Sequence, residues 1–89
     1  MIKIVHAFWI KDQQIALMFS DGSEGAYDFT YLLALKTLLT QPLLDTAAFQ
    51  KFFLEMGALC WPHGLEFSAD KLHADLLAAN LLHQAAKTA

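Results

Sequence analysis

The sequence predicts an α+β fold: a small antiparallel sheet, built from an N-terminal three-strand meander plus a short hairpin, with short helices and a C-terminal helix. Three observations carry that prediction. Apolar residues alternate at a spacing of two from Ile2 to Phe29, turn-forming pairs interrupt the alternation, and from Ala69 onward the apolar spacing lengthens to three and four. The 89 residues make a single domain, 1–89, because two separate cores would each be too small to offset chain entropy.

Each element follows from local chemistry. Ile2, Ile4, Phe8 and Ile10 fall on one side of the first strand, and Lys3, Val5, Ala7 and Trp9 on the other, so both faces are expected to be partly covered. "KDQQ" turns the chain into "IALMFS". Asp21-Gly22 then reads as a type I′ hairpin turn, whose two central residues both need positive φ. "EGAYDF" is the third strand. Thr30 is the expected N-cap of a helix over "YLLALKTLL", which Gln41-Pro42 interrupts. Asp45 caps a second short helix, "TAAFQKF", that turns Phe49 and either Phe52 or Phe53 inward. "FLEMG" and "ALCW" are brief strands parted near Gly57. The last element is expected to run from Ala69 to about Ala86 behind the N-cap Ser68. Leu72, Leu76, Ala79, Leu82 and Ala86 would share one side of it, and Ala74, Leu77, Ala78, Leu81 and Ala85 most of the other. A helix apolar nearly all round is buried or docked on two surfaces.

Between "ALCW" and that helix lies "LCWPHGLEF", which puts a lone cysteine three residues from a histidine. Trp61, Pro62, His63 and Gly64 satisfy a four-residue turn: proline presets φ at the second position and glycine suits the fourth. Trp61 then faces Leu65 and Leu59 faces Phe67 on one side of a hairpin, with Cys60 and Glu66 on the other. A thiol nucleophile needs a base within hydrogen-bond reach, and a turn-tip histidine is poorly placed to serve. The turn is the better reading.

These residues resemble the bacterial small-domain family catalogued as domain of unknown function 2442. The family's pattern is a phenylalanine before an Asp-Gly turn, a Phe-Asp pair after it, and a Trp-Pro-Asn-Gly turn. An acidic residue two positions on and a closing leucine complete it. Phe19, Asp21, Gly22, Asp28, Phe29, Phe49, Trp61, Pro62, Gly64, Glu66 and Leu72 match, over roughly Ile2 to His73. His63 stands in place of the asparagine, Glu66 in place of the commoner aspartate, and the C-terminal helix is expected to be longer. The resemblance implies an α+β fold with a small antiparallel sheet and no established activity. It also implies occurrence alone, fused to a helix-turn-helix domain, or beside another small protein in toxin–antitoxin-like arrangements.

Composition narrows the function classes. The chain is 56% hydrophobic and only 17% charged, and its mean hydropathy is +0.36. That exceeds what so small an interior takes in, so an identical copy is the default partner. All six basic residues are scattered lysines and the net charge is −3, which gives no footprint for nucleic acid. "YLLALKTLL" is too short and too charged to enter a membrane. One cysteine suits a reducing cytoplasm. The four histidines lack metal-ligand spacing, and no phosphate loop or nucleophile motif occurs, so neither cofactor nor catalysis is expected. The expected role is a cytoplasmic interaction domain: a homodimer joined through Ala74, Leu77, Ala78, Leu81 and Ala85. A second small protein is a further expected partner, with this chain as the neutralising member of a toxin–antitoxin-like pair. The competing expectation is a small-ligand-binding protein or minor enzyme with a pocket near Trp61, His63 and Glu66.

Overall fold

The alternating N-terminal segments become three antiparallel strands, β1 (Ile4–Lys11), β2 (Gln14–Phe19) and β3 (Ser23–Asp28). The computed structural model describes residues 1–84. In β2 and β3 the period of two holds: Ile15, Leu17, Phe19, Tyr27 and, just beyond β3, Phe29 are buried. In β1 it does not. Ile4 pairs with Phe19 but His6 pairs with Met18, so one extra residue bulges the strand at Val5. The expected even-numbered face is thereby split. Ile4 stays in the core, whereas Phe8 and Ile10 turn to solvent, His6 stacking on Phe8 with ring centroids 5.9 Å apart.

The β2–β3 turn also differs from expectation. Only Gly22 has positive φ (+87°), and its amide bonds the Phe19 carbonyl at 3.0 Å. This is a three-residue loop, a type I turn closed by a left-handed glycine, and not a type I′ pair. Asp21 stays in the ordinary region because its carboxylate accepts from the Ser23 amide and hydroxyl, fixing the turn from the side chain.

The expected helix over "YLLALKTLL" is a single turn, α1 (Thr30–Leu33). Thr30 lies inside it and Phe29 is at the cap; the Thr30 hydroxyl and amide both bond the Asp28 carboxylate. Lys36, at φ +51°, ends any helical path well before Pro42. Pro42 instead occupies the first turn of a 3-10 helix, Gln41–Leu44, where its missing N–H is no loss. Asp45 caps α2 (Thr46–Phe49) as expected, accepting from the Ala48 amide at 3.2 Å, and Phe49 is fully buried. Phe52 packs against the core while Phe53 is exposed.

A second sheet is formed by β4 (Phe53–Glu55), β5 (Ala58–Cys60) and β6 (Glu66–Phe67). It is tied to the first where the Ile4 amide donates to the Gly57 carbonyl at 2.9 Å. Trp61 joins the layers: its ring lies within 6.3 Å, centroid to centroid, of Phe29, Phe49, Phe52 and Phe67. Its indole N–H donates to the buried Phe49 carbonyl at 2.8 Å.

The largest correction is at the C-terminus. Ser68 caps α3 as expected, but the helix spans Ala69–Ala78 and stops. Asn80 takes φ +61°; its amide bonds the Leu77 carbonyl and the Leu81 amide bonds the Leu76 carbonyl. That pair of bonds is the Schellman closure, with asparagine in the left-handed position. The chain then reverses, and β7 (His83–Gln84) pairs antiparallel with β3, giving the sheet order β1-β2-β3-β7. Gly25 makes the crossing possible, since a Cβ there would lie 2.8 Å from the Leu81 carbonyl oxygen and 3.2 Å from Leu76. Leu81 is therefore not one helical turn beyond Leu77, and Ala85 lies outside the described residues.

Candidate functional site

The Trp-Pro-His-Gly turn is closed by hydrogen bonds from the Gly64 amide to the Trp61 carbonyl (3.0 Å) and from the Trp61 amide to the Leu65 carbonyl (2.9 Å). Gly64 has φ +107°. Leu59 pairs with Phe67 and Cys60 with Glu66, the register that the sequence predicts. The two sides divide as expected, with Leu59, Trp61 and Leu65 buried and Phe67 packed on the core.

Cys60 and Glu66 meet on the other side, Sγ lying 3.7 Å from Oε2. Cys60 is only 4% exposed. Burial pushes its thiol pKa up, and the carboxylates of Glu66 and Glu55 add to the rise. No base reaches it from His63, because the His63 ring is engaged elsewhere: Nε2–H donates to the Leu39 carbonyl at 2.6 Å. A depression of about 230 Å³ runs along Cys60, Trp61, Pro62, Gly64 and Glu66, and His63 is not part of its wall. The geometry makes His63 a strap between the turn and the loop before the 3-10 helix.

The outward side of α3 carries Ala74, Leu77 and Ala78, all exposed, while Leu72 and Leu76 on its inner side are fully covered. Leu77 is 63% exposed and Leu81, beyond the Schellman turn, 53%.

Where α3 crosses β3 and α1 there is a groove of about 460 Å³. Leu76, Ala78, Ala79 and Leu81 make its apolar side, and Tyr27, Asp28, Tyr31 and Asp75 its polar side. Tyr27 reaches it from β3 because the period of two turns it inward. Its hydroxyl donates to Asp75 Oδ2 at 2.5 Å. Lys71, one helical turn before Asp75, bonds the same oxygen at 3.1 Å. Burial, then the bond to Asp75, pushes the Tyr27 phenol pKa well up, while the Tyr27 hydroxyl and then Lys71 hold the Asp75 carboxyl below its usual range. Of these four polar residues only Asp28 stands out in the sequence, as part of the family pattern. The signal was present in two separate places, Tyr27 at an inward strand position and Asp75 on the helix, and only the fold brings the two together.

Two histidine–carboxylate contacts tie α3 to the β2–β3 turn and β7 to β3. His73 Nε2 donates to Asp21 Oδ2 at 3.0 Å, and His83 Nε2 lies 3.5 Å from Glu24 Oε1. Among the described residues no group of three metal-ligating side chains comes together, and no helix is long and apolar enough to cross a membrane.

The family model described as "Protein of unknown function (DUF2442)" matches residues 4–85, nearly the whole chain. The chain belongs to that family. No curated protein and no solved structure matches it. The family description names no activity. The DUF2442 match extends through β7, so it takes in the reversal after Asn80 as well as the turn motif. The residues that carry the resemblance have visible structural tasks in this DUF2442 chain. Phe29, Phe49 and Trp61 form the aromatic centre. Asp21 and Asp28 hold turns, and Phe19 and Leu72 are buried. The motif therefore builds the DUF2442 scaffold, and it reaches the groove only through Asp28.

Proposed function

We propose that this chain is a cytoplasmic protein-interaction domain that works as a homodimer, with binding and not catalysis as its task. The interface is the outward side of α3, Ala74, Leu77 and Ala78, extended by Leu81. One observation carries the reading. Leu72 and Leu76 already complete the cover of the sheet, and yet Leu77 and Leu81 stand 63% and 53% exposed. Burying each against a partner is worth on the order of 1.5–3 kcal/mol, and a twofold contact doubles that gain. Ala74 and Ala78, beside Leu77 on α3, allow two helices to approach closely.

A second small protein is the further partner, with this chain as the neutralising member of a toxin–antitoxin-like pair. The exposed Leu35, Leu38, Leu39 and Leu44, on and before the 3-10 helix, supply a separate apolar surface for it. Sedimentation at micromolar concentration tests the dimer: the native chain should run as a dimer and Leu77→Glu as a folded monomer, because two desolvated carboxylates would meet across the axis. A native monomer rejects the reading. The pairing is tested by co-expression with the protein encoded beside it, whose toxicity this chain should relieve.

A further inference from the structure

The groove between α3, β3 and α1 is large enough for a small molecule, since small-molecule sites occupy roughly 300–1,000 Å³, and this one measures about 460 Å³. Its charged side chains, Asp28 and Asp75, have one sign. Asp75 spends a single oxygen, Oδ2, on both Tyr27 and Lys71, which leaves Oδ1 with no partner among the described residues. Asp28 does the same: Oδ1 takes both the amide and the hydroxyl of Thr30, and Oδ2 has no partner among the described residues. No lysine or histidine lines the groove. Tyr31, 59% exposed, offers an aromatic face beside the two carboxylates, and Leu76, Ala78 and Leu81 offer a hydrocarbon wall. One unpartnered oxygen on each of two carboxylates, one aromatic face and an apolar wall complement a cation carried on a hydrocarbon body.

We propose that this groove is a binding site for a small amine, a primary ammonium group on an aryl or alkyl stem. The ammonium bonds Asp75 and Asp28 and lies against Tyr31, while the stem covers Leu76, Ala78 and Leu81. Anions are excluded by the same two carboxylates. The site goes beyond the dimer reading; it shares Ala78 and Leu81 with that surface but takes its polar contacts from Asp28, Asp75 and Tyr31, which lie outside it, so sedimentation of the same samples with and without amine reports on the dimer separately.

The test is titration of the isotope-labelled full chain with phenethylamine, followed by amide chemical shifts, with 2-phenylethanol as the uncharged isostere. Shifts confined to residues around Ala26, Tyr31, Ala78 and Leu81, with phenethylamine bound about tenfold tighter than the alcohol, support the site. Asp75→Asn and Asp28→Asn should each remove most of that preference. Asp28 is exposed, so its variant keeps the test open if Asp75→Asn unfolds. Equal affinity for amine and alcohol overturns the proposal, as do shifts elsewhere or none at millimolar amine. A blocked Ala-Lys-Ala peptide binding as tightly as phenethylamine overturns the small-molecule assignment in favour of a lysine from a protein partner.

Discussion

Gly64 and His63 show how differently two neighbouring residues can be constrained. Space is not what Gly64 supplies, since a Cβ there would meet nothing within 4 Å. Its φ of +107° is the constraint, so Gly64→Ala should destabilise by about 1 kcal/mol or more through backbone strain alone. His63→Asn keeps good turn chemistry but forfeits the reach to Leu39, and should lose about 0.5–1.5 kcal/mol, a typical net hydrogen bond. Urea melts of the two variants check both figures; a neutral Gly64→Ala would mean that the turn relaxes. Cys60 has a kinetic signature. Buried, and with its thiol pKa raised, it should react with an aromatic disulfide reagent far more slowly in the native chain than in urea. Equal rates would show that the β5–β6 hairpin opens freely.

Among the elements, α3 and its exit are decided by two residues of opposite use. Asn80 should tolerate glycine, which adopts the left-handed region without strain, whereas Asn80→Val should cost about 1–2 kcal/mol. Gly25→Ala pushes a methyl group against the Leu81 carbonyl and should cost about 1–3 kcal/mol as overpacking. Hydrogen exchange at Ser23, Glu24, His83 and Gln84 would separate the two mechanisms, since Gly25→Ala should release β7 while α3 stays protected. What the sequence discloses about these elements varies with range. The Leu59–Phe67 register is legible because Trp-Pro-His-Gly admits few turn geometries, and the caps Asp45 and Ser68 are legible because capping is local. The end of α3 is not. Leu82 and Ala86 continue the helical spacing of Leu72 and Leu76, so the pattern alone favours a longer helix, and the Schellman closure at Asn80 wins through its two hydrogen bonds and the open edge of β3. The bulge at Val5 is hidden for a related reason: alternation within one strand says nothing of the register it takes against another. The groove is less legible still, because Tyr27 and Asp75 are 48 residues apart and neither belongs to a motif.

For the whole molecule, pH acts through the groups that tie α3 to the sheet. Asp75 and Asp21 both have carboxyl pKa values held below the usual 3.8, Asp75 chiefly by the Tyr27 hydroxyl and Asp21 chiefly by Ser23. A lowered folded value stabilises the native state fully above pH ~4, and that contribution is lost as pH falls through the folded value. Tyr27 has the opposite sign. Its phenol pKa is raised above the usual 10.0, so its contribution is complete below pH ~10 and is lost as pH climbs. Urea midpoints should therefore fall at both extremes, and Tyr27→Phe should flatten both limbs. A variant with the native acid limb would show that Asp75 does not need the phenol.

Strand β7 also sets the order in which the molecule can be completed. It pairs with residues about sixty positions earlier, and until it arrives the outer edge of β3 at Ser23 and Glu24 is open. During synthesis the meander can close early, since each of its strands follows the last by a short turn, but it must wait with that edge unpaired while α1, α2, the second sheet and α3 are made. An open edge next to apolar surface is where chains pair with the wrong neighbour. Contacts of such long sequence separation also slow folding. Where nascent copies of the same chain lie close together, the interval between the third strand and the seventh is thus the period of greatest exposure of this edge to misassembly, and two residues, His83 and Gln84, bring it to an end.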